Sequence, residues 1–168
     1  MVISFCGEGC FKIQTGGLTI LTEAFSGEIS ARMKPDIFIK TGGDKSHIAA
    51  EHLVSGPGEY EIKGVEINGY PGFTYLIRAE EMRLGFLPAH APAPDWLKEG
   101  PDILFANNDS ESAKIIRQLN PKIIISHSGS AGILEKELGQ KAEVLDKLVI
   151  KKKEVPVGSA VRIVNLKG

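Results

Sequence analysis

Apolar and polar residues alternate from the start of the chain, Ile3 and Phe5 standing between Val2, Ser4 and Cys6. A period of two is the signature of a half-buried strand. Two further short runs, Phe11 to Thr15 and Leu18 to Thr22, are separated by Gly16-Gly17, a connection suited to a tight hairpin turn. The chain therefore opens as antiparallel β structure. The uninterrupted apolar stretch in Asp36 to Lys40 reads as a strand buried on both faces. From Ser46 to Leu53 the spacing of Ile48, Ala49, His52 and Leu53 predicts about two helical turns, stopped by Val54 to Gly58. A meander follows, with strands at Glu59 to Lys63, Val65 to Asn68, Phe73 to Ala79 and Met82 to Leu87.

Beyond the proline-rich stretch Pro88 to Pro94 the pattern changes to strand, helix, strand: Asp102 to Ala106, Ser110 to Leu119 and Lys122 to Ser126. Asp109 or Ser110 can cap that helix, while Ala113, Ile116 and Leu119 form its apolar stripe and Asn120-Pro121 ends it. A last helix is expected over Ser130 to Leu138. Lys147 to Lys151 and Ala160 to Leu166 are expected to pair as closing strands around Pro156 and Gly158. An antiparallel half leading into a βαβ half suits two sheets packed face to face and covered by a few helices, a mixed α/β (α+β) architecture. With 168 residues, one domain spanning 1–168 is expected.

Charge and composition narrow the partners. The 20 basic residues against 21 acidic ones leave a formal charge of −1, so there is no electrostatic reason to expect a nucleic acid or an anionic membrane. No apolar run approaches the roughly 20 residues needed to cross a bilayer and Met1 to Cys10 is too polar for a secretory signal, so a cytoplasmic address is expected. Cys6 and Cys10 are the only cysteines. They are too few for a disulfide framework, and both are expected to stay reduced.

Candidate chemistry centres on four histidines, His47, His52, His90 and His127. All but His52 fall at or just past the end of an expected strand, where layered folds build ligand sites. His52, on the expected helix, is read as structural. Thr41-Gly-Gly-Asp-Lys-Ser-His47 resembles a phosphate cradle in its glycines but lacks the Walker and dinucleotide spacings, and a turn between strand and helix needs such glycines for conformation alone. Cys6-Gly-Glu-Gly-Cys10 suggests a redox or soft-metal pair, yet nothing nearby in sequence is basic enough to lower a thiol pKa, so packing as small hydrophobes is expected. Ser126 and His127 are neighbours along a strand and would point apart, so they are no nucleophile and base pair.

The order of these segments resembles the metallo-β-lactamase fold superfamily, in particular its lactonase-like branch of small zinc-dependent hydrolases. Gly7-Glu-Gly-Cys-Phe11 stands where that branch has Gly-His-Ser-Cys-Phe. Leu21-Thr-Glu-Ala-Phe25 stands where it has Leu-Ile-Asp-Pro-Phe. Pro35-Asp-Ile-Phe-Ile-Lys-Thr41 resembles the strand that delivers the metal motif, and Ser55-Gly-Pro-Gly-Glu-Tyr-Glu-Ile-Lys-Gly64 is the most specific match. Phe73-Thr-Tyr-Leu-Ile77 and Asn120-Pro-Lys-Ile-Ile-Ile125 fit its later strands. The resemblance implies a four-layer αββα sandwich and a binuclear zinc centre that lowers the pKa of a bound water.

The metal motif departs from that pattern. The signature Thr-His-x-His-x-Asp-His is matched by Thr41-Gly42-Gly43-Asp44-Lys45-Ser46-His47, which keeps one histidine of three. Ala89 stands near the bridging aspartate's place with His90 beside it, and His127 matches the final histidine. Asp44, His47, His90 and His127 are therefore vestigial metal candidates. The expectation is no cofactor, the alternative being one zinc in a mononuclear site. Two functional classes follow: a non-catalytic module binding an unknown small molecule or protein, which is favoured, and a metal-dependent hydrolase of lactones, phosphoesters or related esters with an altered site. A homodimer is expected, because a chain this short for its family is expected to leave strand edges or apolar patches uncovered.

Overall fold

The opening alternation becomes an antiparallel ladder in which β1 (Val2–Phe5) pairs with β2 (Phe11–Thr15), and β2 with β3 (Leu18–Thr22) across Gly16-Gly17. The computed structural model describes residues 1–7, 9–23, 32–42, 48–88, 95 and 100–168. Two short strands, β4 (Ile37–Ile39) and β5 (His52–Val54), extend the ladder in parallel. The other sheet begins with the antiparallel meander β6 (Gly58–Ile62), β7 (Val65–Tyr70), β8 (Thr74–Ala79) and β9 (Met82–Phe86). It continues in parallel through β10 (Ile103–Ala106) and β11 (Ile123–Ser126), joined by α1 (Ser110–Leu119). After α2 (Gly132–Leu138) come β12 (Glu143–Leu145), β13 (Lys147–Val149) and β14 (Arg162–Leu166). The six-stranded sheet has the order β13-β1-β2-β3-β4-β5, and the eight-stranded sheet β12-β14-β11-β10-β9-β8-β7-β6.

One core fills the space between the sheets. Ile3, Phe11, Ile13, Ile20, Ile37 and Ile39 from one face meet Ile67, Ile77, Phe86, Phe105 and Ile125 from the other. Every second residue of each strand points inward, which is what alternation dictates. Helices α1 and α2 cover the outer face of the eight-stranded sheet, where Ala113, Ile116, Leu119 and Leu134 pack on Leu104, Ile124 and Ile163. Asp109 caps α1 by accepting from the Ser112 N–H at 2.7 Å, and Asn120 closes it in a left-handed conformation. On the outer face of the six-stranded sheet, Cys10, Leu21 and Phe38 are covered by Cys6, Met33, Ile48 and Ala50. The mixed α/β architecture of two sheets with few helices is thus the one expected.

Two local expectations are corrected. Of the helix expected over 46–53, residues 46 and 47 lie outside the described residues and the rest is not helical: residues 48–50 are irregular, and His52–Val54 is a strand whose partner is Ile37–Ile39. The apolar spacing there serves a parallel ladder and the outer cluster, so a distant strand overrides the local period. The two closing strands do not pair with each other. β13 joins β1, while β14 lies between β11 and β12 in the other sheet. Among the described residues no helix is long and apolar enough to cross a membrane.

Strand direction gathers the loops that matter. The C-terminal ends of β1, β3, β4 and β5 lie at the same end of the molecule as those of β9, β10 and β11, and the turns β5–β6 and β7–β8 join them there. The opposite end is closed by Glu80, whose carboxylate accepts from Thr15 Oγ1 at 2.8 Å, from the Gly16 N–H at 3.1 Å and from the chain's amino terminus at 2.9 Å.

Candidate functional site

The loop rim is tied together by backbone groups that the strand ends leave unpaired. The Gly9 N–H donates to the His127 carbonyl at 3.0 Å, linking the turn after β1 to the end of β11. Thr22 Oγ1 donates to the Gly9 carbonyl at 2.9 Å and accepts from the Phe11 N–H at 2.8 Å. Thr41 Oγ1 donates to the Glu23 carbonyl at 3.0 Å, and the Thr41 N–H reaches the buried Glu23 carboxylate at 3.2 Å. Tyr75 Oη donates to the Lys40 carbonyl at 2.6 Å and accepts from the Gly56 N–H at 3.0 Å, fixing the Ser55-Gly-Pro-Gly58 turn to the end of β4. Burial raises the Tyr75 phenol above its ordinary pKa.

Of the four vestigial candidates, only His127 lies within the described residues; Asp44, His47 and His90 lie outside them. His127 is 3% exposed, at the end of β11, with its ring 5.8 Å from that of Phe11 and 6.1 Å from that of Phe86. Its Nε2 lies 3.3 Å from the Leu87 carbonyl oxygen. A carbonyl only accepts, so this contact places the proton on Nε2 and withdraws that nitrogen's lone pair. Burial lowers the imidazole pKa to about 4, although the carbonyls of Leu87 and Phe105 oppose the shift. The ring is neutral at pH 7 and enclosed, and serves as part of the core. His52 stands at the start of β5, half-exposed, with its Nε2 3.5 Å from the Glu51 carboxylate. Ser126 Oγ donates to the Ser130 carbonyl, so no serine and histidine dyad is formed.

Gly42 carries the clearest departure. Its φ is +105°, a conformation L side chains rarely adopt, and a Cβ there would come within 3.2 Å of the Phe73 ring. Phe73, itself at φ +58° on the β7–β8 turn, thus fills the direction in which a side chain at 42 would project. Among the described residues, Gly42 supplies no donor where the resemblance implies the first histidine of a zinc centre. A side chain at 42 would press on the Phe73 ring, its Cβ lying 3.2 Å from it, while the Nε2–H bond to the Leu87 carbonyl fixes the orientation of the buried His127 ring. Among the described residues no three His, Cys, Asp or Glu side chains come together as a metal-holding group.

Sequence reasoning missed three features of this rim. Phe73 read only as the first residue of a strand, and nothing local in the sequence announces that its ring meets Gly42. Glu23 was visible only as a departure from the Leu-Ile-Asp-Pro-Phe pattern. The third is a correction: the Cys6 thiol is lowered to about 7, chiefly by a hydrogen bond from Cys10 and further by Lys12, while burial opposes it. The lowering groups come from across the turn.

The sequence profile of the beta-lactamase superfamily domain matches residues 2–128. No curated protein matches the sequence. Among solved structures, a candidate zinc-dependent hydrolase of the metallo-beta-lactamase superfamily from Thermotoga maritima superposes with a TM-score of 0.71 at 21% identity, covering 98% of this chain and 97% of its own. A candidate metal-dependent hydrolase from Parabacteroides distasonis gives 0.62 at 16% identity, over 98% and 93% of the two chains. A metallo hydrolase from the archaeon Ignicoccus hospitalis gives 0.59 at 12%, over 89% and 99%. At these identities the likeness is one of fold.

Proposed function

We propose that this chain, which belongs to the beta-lactamase superfamily, is a non-catalytic member whose former metal rim now serves binding or scaffolding. The observation that carries the reading is the Phe73 ring lying against Gly42 at the end of β4, where a ligand side chain would otherwise project. A zinc hydrolase needs three or more converging donors and an open coordination position to hold an activated water. Among the described residues this rim offers instead a left-handed glycine, an aromatic ring and a buried neutral imidazole. The surface it presents is shaped by backbone and by Phe73, which is 40% exposed. The chain's formal charge of −1 is in keeping with a small-molecule or protein partner rather than a nucleic acid or a membrane. Leu53, Val144 and Val149 are exposed on the edge strands β5, β12 and β13, which supports a second copy of the chain as one such partner.

The test is a panel of lactone, phosphodiester, thioester and β-lactam substrates, assayed with added zinc or manganese. The expected result is no turnover above that of a His127→Ala preparation. Metal-dependent turnover of any of them, abolished by both His47→Ala and His127→Ala, would assign the chain to the hydrolases.

A further inference from the structure

Antiparallel register carries β1 and β2 beyond their last paired residues, Phe5 and Phe11, to bring Cys6 opposite Cys10. The Cys6 N–H donates to the Cys10 carbonyl at 2.8 Å, and the Cys10 N–H to the Gly7 carbonyl at 2.8 Å, so a tight turn closes directly over the pair. Directly opposed residues of antiparallel strands have Cα atoms about 4.5–5.5 Å apart, inside the range of about 4.4–6.8 Å that a disulfide spans. Both side chains project from the same face of the sheet, into the cluster with Leu21 and Phe38. Their sulfurs are close enough to share a hydrogen bond, and both cysteines are free.

We propose that Cys6 and Cys10 form a reversible redox dithiol that exchanges with low-molecular-weight disulfides, with Cys6 attacking and Cys10 resolving. The two thiols are placed unequally, as that division of labour requires. Cys6 is half-buried, reachable from solvent, and held near pKa 7, whereas Cys10 is fully buried and held protonated by Cys6 and by its apolar surroundings. The Cys6 thiolate attacks one sulfur of the small disulfide RSSR, forming a Cys6–SR bond and releasing the first thiolate, RS⁻. Cys10 then loses its proton to that departing thiolate and attacks Cys6 Sγ. The Cys6–SR bond breaks, and the second thiolate leaves and takes a proton from water. The protein loses two electrons and two hydrogens, and RSSR becomes two RSH. Because Gly9 is already held by His127 and Thr22, the turn closes its five-residue loop without a large rearrangement, and the bond would lock the turn against the rim.

The full-length chain, equilibrated anaerobically in glutathione buffers of graded ratio, quenched with acid and alkylated, is read by intact mass. The wild type is expected to pass in one step from a doubly alkylated species to one that takes no alkyl group and is lighter by two hydrogens. Cys10→Ser is expected to stop with one glutathione on Cys6, and Cys6→Ser to take up none while folded. In Cys10→Ser the alkylation rate of Cys6 should still rise with pH as a single thiol titration. A wild type that remains doubly alkylated in oxidised glutathione, that ends as a mixed disulfide, or that cross-links two chains would overturn the proposal. So would equal reactivity of the two single variants. The wild-type result decides even if Cys10→Ser does not fold.

Discussion

Acidification from pH 7 to pH 5 is expected to cost the folded chain about 2 kcal/mol, rising to about 3 kcal/mol by pH 4. The cause is His127, whose pKa falls from an ordinary 6.5 to about 4 on burial. Its folded-state pKa is depressed, so the neutral ring is favoured by folding. Above 6.5 neither state binds the proton and the stability is complete. Between 6.5 and 4 the unfolded chain takes up a proton that the folded chain refuses, and stability drains as pH falls. Glu51, Glu80 and Glu143 are also shifted, each downward by a cationic partner, but they titrate at and below the ordinary carboxylate value of 4.5. The Cys6 thiolate, held near pKa 7, has lost almost all of its share by pH 6.5, so His127 dominates the slope between pH 6.5 and about 5. Urea unfolding at a series of pH values should show this slope, unchanged by a chelator, and His127→Gln should flatten it. A wild-type stability that is level over this range would mean that the folded imidazole accepts its proton freely, and the core reading of His127 would fail.

Phe105→Ala is expected to cost about 3–5 kcal/mol, the largest single loss among the side chains beneath the rim. Phe105 is fully buried, stacked on Phe86 at 4.1 Å between centroids with 12° between planes, and 4.7 Å from Phe11. Removing the ring opens a cavity among three strands from both sheets and forfeits two aromatic contacts, each worth roughly 0.5–1.5 kcal/mol beyond the area buried. The same cavity lies next to the rings that enclose His127. Water admitted there would ease the penalty on the imidazolium, so the pH slope of Phe105→Ala should be shallower than that of the wild type. Chemical denaturation at pH 7 and pH 5 measures both effects. A loss below about 0.5 kcal/mol, the size expected of a surface site, would show that the two sheets do not share this core.

How much was legible in the sequence depended on whether the deciding partner was local. The unit from Ile103 to Ser126 was readable because its signals are adjacent: a buried run, the Asp109 cap, the stripe Ala113, Ile116 and Leu119, and the Asn120-Pro121 stop. The hairpin at Gly16-Gly17 was readable for the same reason. By contrast β5 and β12 have three residues each, too few to display a period, and both exist because a distant strand pairs with them. The separate destinations of β13 and β14 are likewise a matter of long-range pairing, which no window of sequence encodes. At the rim, the place of His127 was legible through the order of motifs. Phe73 was not, since its meeting with Gly42 requires the β7–β8 turn and the end of β4 to be brought together by both sheets. The low pKa of Cys6 depends on hairpin register in the same way.

The central claim is that packed protein has replaced the metal site at this rim, and metal content tests it most directly. Asp44, with His47 and His127, would complete a set of two histidines and one carboxylate of a kind that zinc or ferrous iron accepts, so the expectation carries risk. Protein purified without chelator and analysed by inductively coupled plasma mass spectrometry is expected to carry no stoichiometric zinc, iron or manganese. About one equivalent of any of these metals, lost in His47→Ala or in His127→Ala, would contradict the account.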